Sequence, residues 1–458
     1  MDWRVKSLDA ILATAEKKAL HRSLGAFQLT MLGIGGIIGT GIFVLTAEAA
    51  QKAGPGLMVA FVIAAIVCGL AALCYAELAS MVPVSGSAYT YTYATFGEIM
   101  AWIVGWALVL EYAVAASAVA VGWSGYIVGL LGQLHNLLPF LPDIVIPANL
   151  ANGPYAGGII NLPAVCISLA VTALLIVGTK ESATVNAVLV VIKVVALLVF
   201  IVLTIPIING ARFTPFMPLG TAGVIGAASS IFFAFVGFDA VSTAAEETKN
   251  PQRNVPIGLI ASLLICTVIY LLVGAGAVGS FGAQPLIDAA GHGLEPGSKE
   301  LASACALHVP EPLVCSKHAL SYVLTSVGYP FMGSLLGVAA TIALPSVVLM
   351  MMLGQTRIFF VMARDGLLPP VLSKVHPKFK TPHVVTMMTG VGVTIAAAFF
   401  PVGKLADVSN GGTLCAFLLV ALAIMALRRT DPSRKRSFRT PAVWVVAPLA
   451  AAGCLLLF

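Results

Sequence analysis

The sequence predicts an all-α polytopic membrane protein, and three observations carry the prediction. The 458-residue chain is 59% hydrophobic and only 10% charged, with a mean hydropathy of +1.00, well beyond a soluble domain of this length. Apolar stretches of about 20 residues, the length a helix needs to cross a bilayer, recur along the whole chain. The 25 lysines and arginines concentrate in alternate loops, so the net charge of +6 reads as a topological bias and not as a nucleic-acid surface.

Eleven spans are expected, over residues 26–46, 56–81, 98–131, 160–178, 183–209, 220–246, 255–279, 331–362, 383–400, 411–427 and 442–458. With the N-terminus inside, 19 of the 25 basic residues are cytoplasmic, five (Lys52, Arg212, Lys299, Lys317, Lys404) are outside, and Lys193 alone lies in the membrane. That asymmetry predicts a multi-pass protein of the cytoplasmic or plasma membrane with a cytoplasmic N-terminus. No cleavable signal precedes the first span. Residues 5–18 read either as an interfacial helix, with Val5, Leu8, Ile11 and Leu12 on one face, or as a disordered lead. The last span ends on Leu455-Leu456-Leu457-Phe458 without a polar tail, so the natural chain is expected to continue.

The first span holds Gly33-Ile34-Gly35-Gly36-Ile37-Ile38-Gly39-Thr40-Gly41. Interior glycines cost about 1 kcal/mol each against alanine, and backbone freed at mid-membrane must line a cavity, so this helix is expected to be broken. The sixth span carries a second interruption, Phe233-Ala234-Phe235-Val236-Gly237-Phe238-Asp239. An acid at that depth costs several kcal/mol unless it faces a cavity or a partner.

Counted five spans to a half, the interrupted helices are corresponding members, which is the signature of an inverted repeat with a site where the breaks meet. The division is then residues 1–25 as a cytoplasmic segment, 26–209 and 210–427 as two five-helix repeats, and 428–458 as a basic loop and eleventh helix. The plainer alternative is two glycine-rich helices that only pack closely, which leaves Asp239 unexplained.

The physics of a crossing of broken helices selects a zwitterion. Half-helix N–H groups attract a carboxylate, and half-helix carbonyls attract an ammonium. Ile38, Gly39, Thr40 and Gly41, with the Thr40 hydroxyl, are the carboxylate side; the carbonyls of Phe233, Ala234 and Val236 are the amine side.

Four strings, Gly33–Phe43 (GIGGIIGTGIF), Tyr75–Tyr93 (YAELASMVPVSGSAYTYTY), Phe232–Glu247 (FFAFVGFDAVSTAAEE) and Gly354–Pro369 (GQTRIFFVMARDGLLP), resemble the amino acid–polyamine–organocation transporters, nearest to the cationic amino acid transporter branch. The resemblance spans nearly the whole chain. It implies a leucine-transporter-type fold of ten core helices in two inverted repeats plus two peripheral ones, the twelfth not contained here. It also implies alternating access, with Phe233 closing over the substrate. Where related sequences often have Trp-Asp, this one has Trp106-Ala107.

The remaining buried charges divide by role. Glu111, apolar on every side, either faces the substrate or carries a proton, or else bonds a neighbouring broken helix. The resemblance implies a place between the first, fifth and eighth helices where sodium-coupled relatives of the fold hold a metal ion, and the ammonium of Lys193, in the fifth span, is expected to fill it. It either gains and loses a proton during the cycle, braces the unwound first helix, or snorkels. Glu77, Glu246 and Glu247 either close an inner gate with inner-side bases such as Arg253, Arg357 or Arg364 or are solvated helix ends. Pro345 is expected to kink the eighth span beside the site, and Val347 to shape the side-chain pocket. Cys305 and Cys315, in the outer loop, form a disulfide or stay as two thiols, and the six cysteines in spans are packing residues.

No Walker loop, catalytic triad or metal motif is present, and no cofactor is expected. The function expected is secondary active, proton-coupled uptake of α-amino acids, arginine or lysine foremost because of Glu111. The alternatives are small neutral amino acids, an exchanger, or a non-translocating sensor. The partners expected are the amino acid, protons and the lipid bilayer.

Overall fold

The computed structural model describes residues 24–82, 87–177, 183–245, 248–308, 312–379 and 381–458; the 5–18 segment, Glu246 and Glu247 lie outside them. Among the described residues every regular element is helical. The first span is three pieces, α1 (Ala26–Ile37), α2 (Thr40–Phe43) and α3 (Leu45–Ala53). Then come α4 (Leu57–Met81), α5 (Ser87–Phe96), α6 (Glu98–Leu131), the short α7 (Ala148–Ala151), α8 (Leu162–Val177) and α9 (Ala183–Thr204). The sixth span is α10 (Gly220–Phe232), a 3-10 turn at Phe233–Phe235, and α11 (Ala240–Thr243). The chain continues through α12 (Pro251–Phe281), α13 (Lys299–Ala306), α14 (Ala319–Ser326) and α15 (Pro330–Arg364). It closes with α16 (His383–Phe399), α17 (Val402–Thr430) and α18 (Val443–Leu457).

The eleven expected spans and the apolar helices coincide in order, with two ends moved by seven residues or more: the first span runs on through α3 to Ala53 and not to residue 46, and α17 starts at Val402 and not at residue 411. Lys404 and Asp407 sit in its first turns, and hydropathy alone trims such charged ends from a helix. The sequence reading did not anticipate α5, whose Tyr-Thr-Tyr-Thr-Tyr run has little apolar periodicity, nor α13 and α14 in the outer loop. That loop is stapled by the Cys305–Cys315 disulfide, Cα–Cα 5.8 Å. Of the span cysteines, Cys166 is exposed and so is not the packing residue expected.

Helix α6 packs along α15 and α17, and α12 packs along α4 and α1, so the two broken spans lie inside the bundle. Small residues set these distances, as they do where no hydrophobic effect separates helix from lipid. A Cβ at Gly412 would overlap the Ala107 carbonyl and stand 3.0 Å from the Glu111 nitrogen. Large apolar side chains such as Ile66, Leu264, Val268, Met388 and Ile395 point outward, while Thr40, Glu77, Glu111, Lys193 and Asp239 are buried. This inside-out polarity is that of a membrane bundle.

Candidate functional site

The first break is short. The Ile38 N–H still donates to the Ile34 carbonyl at 2.9 Å, closing α1; Ile38 and Gly39 are then extended, and the helix resumes at Thr40. Thr40 and Gly41 therefore head a new helix, where N–H groups lack intrahelical acceptors. The Thr40 hydroxyl is buried and has no hydrogen-bond partner among the described residues. Gly122 of α6 gives it room, since a Cβ there would overlap the Thr40 side chain.

The sixth-span break is longer. After the 3-10 turn, in which the Val236 N–H donates to the Phe233 carbonyl at 3.2 Å, the chain passes through Gly237 at φ +112°. Only glycine adopts that conformation cheaply. It is also the crossing point, because a Cβ on Gly36 would lie 2.9 Å from the Gly237 carbonyl oxygen and one on Gly41 would overlap Ala234. The two breaks are in direct backbone contact.

The structure brings most of the expected site residues to this crossing. Gly41 packs on Ala234, Val347 of α15 stands 3.5 Å from where a Gly39 Cβ would be, and Ile38 and Thr40 are buried. Phe233 and Val236 are buried beside them. The carbonyls differ from expectation: Phe233 O already accepts from Val236, and Ala234 O accepts from the Tyr270 hydroxyl at 3.0 Å. Asp239 accepts from the Tyr112 hydroxyl at 2.7 Å. Glu111, next to Tyr112 in sequence, points elsewhere, toward α17. The Ser409 hydroxyl donates to its backbone carbonyl at 2.9 Å, and its two carboxylate oxygens have no hydrogen-bond partner among the described residues. Lys193 is buried, and its ammonium donates to the Gly35 carbonyl at 3.1 Å.

Three tyrosines that the sequence reading passed over hold the breaks. Tyr270 of α12 donates to Ala234 O and also stands 2.8 Å from the Ile37 carbonyl, so one hydroxyl bridges both interruptions. Tyr126 donates to the Phe43 carbonyl at 2.8 Å, and Tyr112 serves Asp239. The available signal was a tyrosine inside an apolar span, because a buried phenol needs an acceptor. Of the acids considered for an inner gate, Glu77 is buried and so is not a solvated helix end; it pairs with the inner-side bases Arg428 (2.8 Å) and Arg436 (3.0 Å), and it accepts the Thr440 N–H at 2.7 Å. Arg428 comes from the last turn of α17 and Arg436 from the basic loop before α18, contacts too distant in sequence to be read from span order.

Two interrupted helices whose unwound segments cross inside an apolar bundle, with buried charge at the crossing, define a membrane transporter of the broken-helix type. The chain belongs to the amino acid permease family, whose model matches residues 24–458. It is 46% identical to the branched-chain amino acid permease BcaP of Bacillus subtilis, over 99% of this chain and 91% of that one. It is 42% identical to the methylthioribose transporter of the same organism, over 99% and 91%. Identity to the vacuolar cationic amino acid transporter 4 of Arabidopsis thaliana is 34%, over 90% of this chain and 64% of that one. The protein is a multi-pass transporter and not an enzyme.

Proposed function

We propose that this transporter takes up α-amino acids with neutral aliphatic side chains by alternating access, coupled to protons through Lys193, in a cell membrane with its N-terminus inside. The amino acid's carboxylate lies on the N–H groups and hydroxyl at Thr40 and Gly41. Its ammonium takes over acceptors at the Phe233–Val236 turn, and the Tyr270 hydroxyl then serves Ile37 alone. The aliphatic reading is supported by the apolar surroundings of the crossing, Ile38, Phe233, Ala234 and Val347, and by the likeness to a branched-chain permease.

The observation that carries the coupling reading is the Lys193 ammonium on the Gly35 carbonyl at 3.1 Å. A buried cation braces the broken helix when protonated and releases it when not, which makes sodium redundant. A cationic substrate is the second reading, carried by the Glu111 carboxylate without a hydrogen-bond donor. Uptake into proteoliposomes tests both, using labelled leucine, alanine, arginine, lysine and methylthioribose at several pH values, with and without sodium, for wild type and Lys193→Ala. Leucine uptake driven by a proton gradient, and abolished by Lys193→Ala with counterflow kept, is the expected result. A sodium requirement removes the lysine assignment, and arginine preferred over leucine restores the cationic reading. Counterflow indifferent to the proton gradient makes the protein an exchanger, whereas binding with neither accumulation nor counterflow makes it a sensor.

A further inference from the structure

A second concavity lies away from the crossing, at the end of the bundle that the charge bias places outside. It has a volume of about 540 Å³, within the range of small-molecule sites. Its wall joins α3, α6 and the disulfide-stapled loop, and both half-cystines line it. Two side chains of opposite charge line it too, Glu48 on α3 and Lys317 just before α14. The Glu48 Oε2 atom is buried and has no hydrogen-bond partner among the described residues. The cation of its helix, Lys52, lies within electrostatic reach of Glu48 but pairs with Asp407 at 3.6 Å and donates to the Ser230 hydroxyl. Lys317 donates to the Asn152 side chain. The rings of Tyr155 and Phe400, 5.8 Å apart, supply an apolar wall.

We propose that this cavity is an outer loading site for an α-amino acid, with the ammonium on Glu48 and the carboxylate on Lys317, reached before the broken-helix site. The inference rests on the amino acid reading given above. Glu48 is eight residues beyond Thr40, which at the helical rise is about 12 Å. The two sites therefore share the first span, Thr40 on α2 and Glu48 on α3, and α6 links them again: Val121 lines the cavity while its neighbour Gly122 faces Thr40. Between them stands the edge-to-face pair Phe43 and Tyr126, 5.7 Å apart, with the Tyr126 hydroxyl on the Phe43 carbonyl. Passage from the loading site to the crossing requires this pair to part.

Equilibrium binding of labelled leucine to the full chain in nanodiscs, with counterflow on the same preparation, tests the proposal. Wild type should bind two leucines per chain. Glu48→Gln should bind one and raise the half-saturating concentration for counterflow about fivefold or more at an unchanged maximal rate. Ala302→Trp, on the exposed loop helix, fills the cavity from the loop side without altering a bundle residue and should do the same. Val347→Trp at the crossing should lose counterflow yet keep one site, which Glu48→Gln then removes. A wild type with a single site, or cavity variants that keep wild-type stoichiometry and half-saturation, overturns the loading site and leaves transport standing. Wild type that neither binds nor exchanges leucine overturns the neutral-substrate reading and the loading site with it.

Discussion

The two interruptions face each other but are held open by different means. The first is two extended residues long and carries no charge of its own; its carbonyls at Gly35, Ile37 and Phe43 receive donors from three other helices, through Lys193, Tyr270 and Tyr126. The sixth-span break is built into its own sequence, with a 3-10 turn, a left-handed Gly237 and the acid Asp239, and it borrows two tyrosine hydroxyls, from Tyr112 and Tyr270. A backbone acceptor left bare in hydrocarbon costs several kcal/mol, so each donor is a condition for the break to exist. The first break is therefore conditional on its neighbours, and one of them, Lys193, is the group to which the proposed proton coupling is assigned. The sixth-span break owes more to its own sequence, through the 3-10 turn and Gly237, and less to donors from elsewhere.

The sharpest way to break this contrast is to add one methyl to each interruption. Gly237→Ala places a Cβ 2.8 Å from the Gly36 carbonyl carbon at a φ of +112°, which should cost roughly 2–4 kcal/mol and cut uptake by about 100-fold or more. Gly39→Ala meets only Val347 at 3.5 Å in extended backbone and should leave thermal stability within about 0.5 kcal/mol. Equal losses in the two variants, read from thermal midpoints and uptake, would end the distinction. Next in size is Tyr270→Phe, which strips a donor from both interruptions at once. It should cost about 1–3 kcal/mol and lower uptake roughly tenfold, more than Tyr126→Phe, which touches only the first break.

The contrast also explains what could be read from the sequence. The glycine run and Asp239 mark both breaks because a helix cannot hide them; each is a residue type that is costly at mid-membrane and local to its own span. Lys193 was legible for the same reason. The donors Tyr112, Tyr126 and Tyr270 were not, since a tyrosine in an apolar span is cheap in itself and its acceptor lies on another helix. Nor was the direction of Glu111, one residue from Tyr112: a rotation of about 100° per residue separates a side chain aimed at the sixth-span break from one aimed at α17. Which inner-side bases pair with Glu77 was not legible for a third reason, because Arg428 ends a distant helix and Arg436 lies on a loop, and the hydropathy pattern encodes neither the packing of the one nor the path of the other.

A smaller effect measures how far the sixth-span break depends on its borrowed donor. Tyr112→Phe removes the 2.7 Å bond to Asp239 and should cost about 1–2 kcal/mol. In a double-mutant cycle with Asp239→Asn, read by thermal unfolding in detergent, a coupling energy of at least about 0.5 kcal/mol is expected. Additive losses would mean that the hydroxyl and the acid act separately, and that Asp239 owes its place to other contacts.

The smallest effect should fall on the first break alone, through His318. This loop residue packs edge-on to Tyr126, ring centroids 6.5 Å apart, and burial lowers its pKa from 6.5 to about 4. The folded loop thus holds the neutral ring while the unfolded chain binds a proton below about pH 6.5. Stability is complete above that value and is lost as pH falls toward 4, by about 1 kcal/mol between pH 6.5 and 5.5. Hydrogen exchange of residues 319–326 and around Tyr126 should quicken over that interval, while the Gly237–Thr243 segment stays protected. His318→Phe keeps the ring packing, cannot take the proton, and should abolish the change. Equal quickening at both breaks in wild type, or quickening that survives in His318→Phe, would show that the support of the first break does not run through this loop.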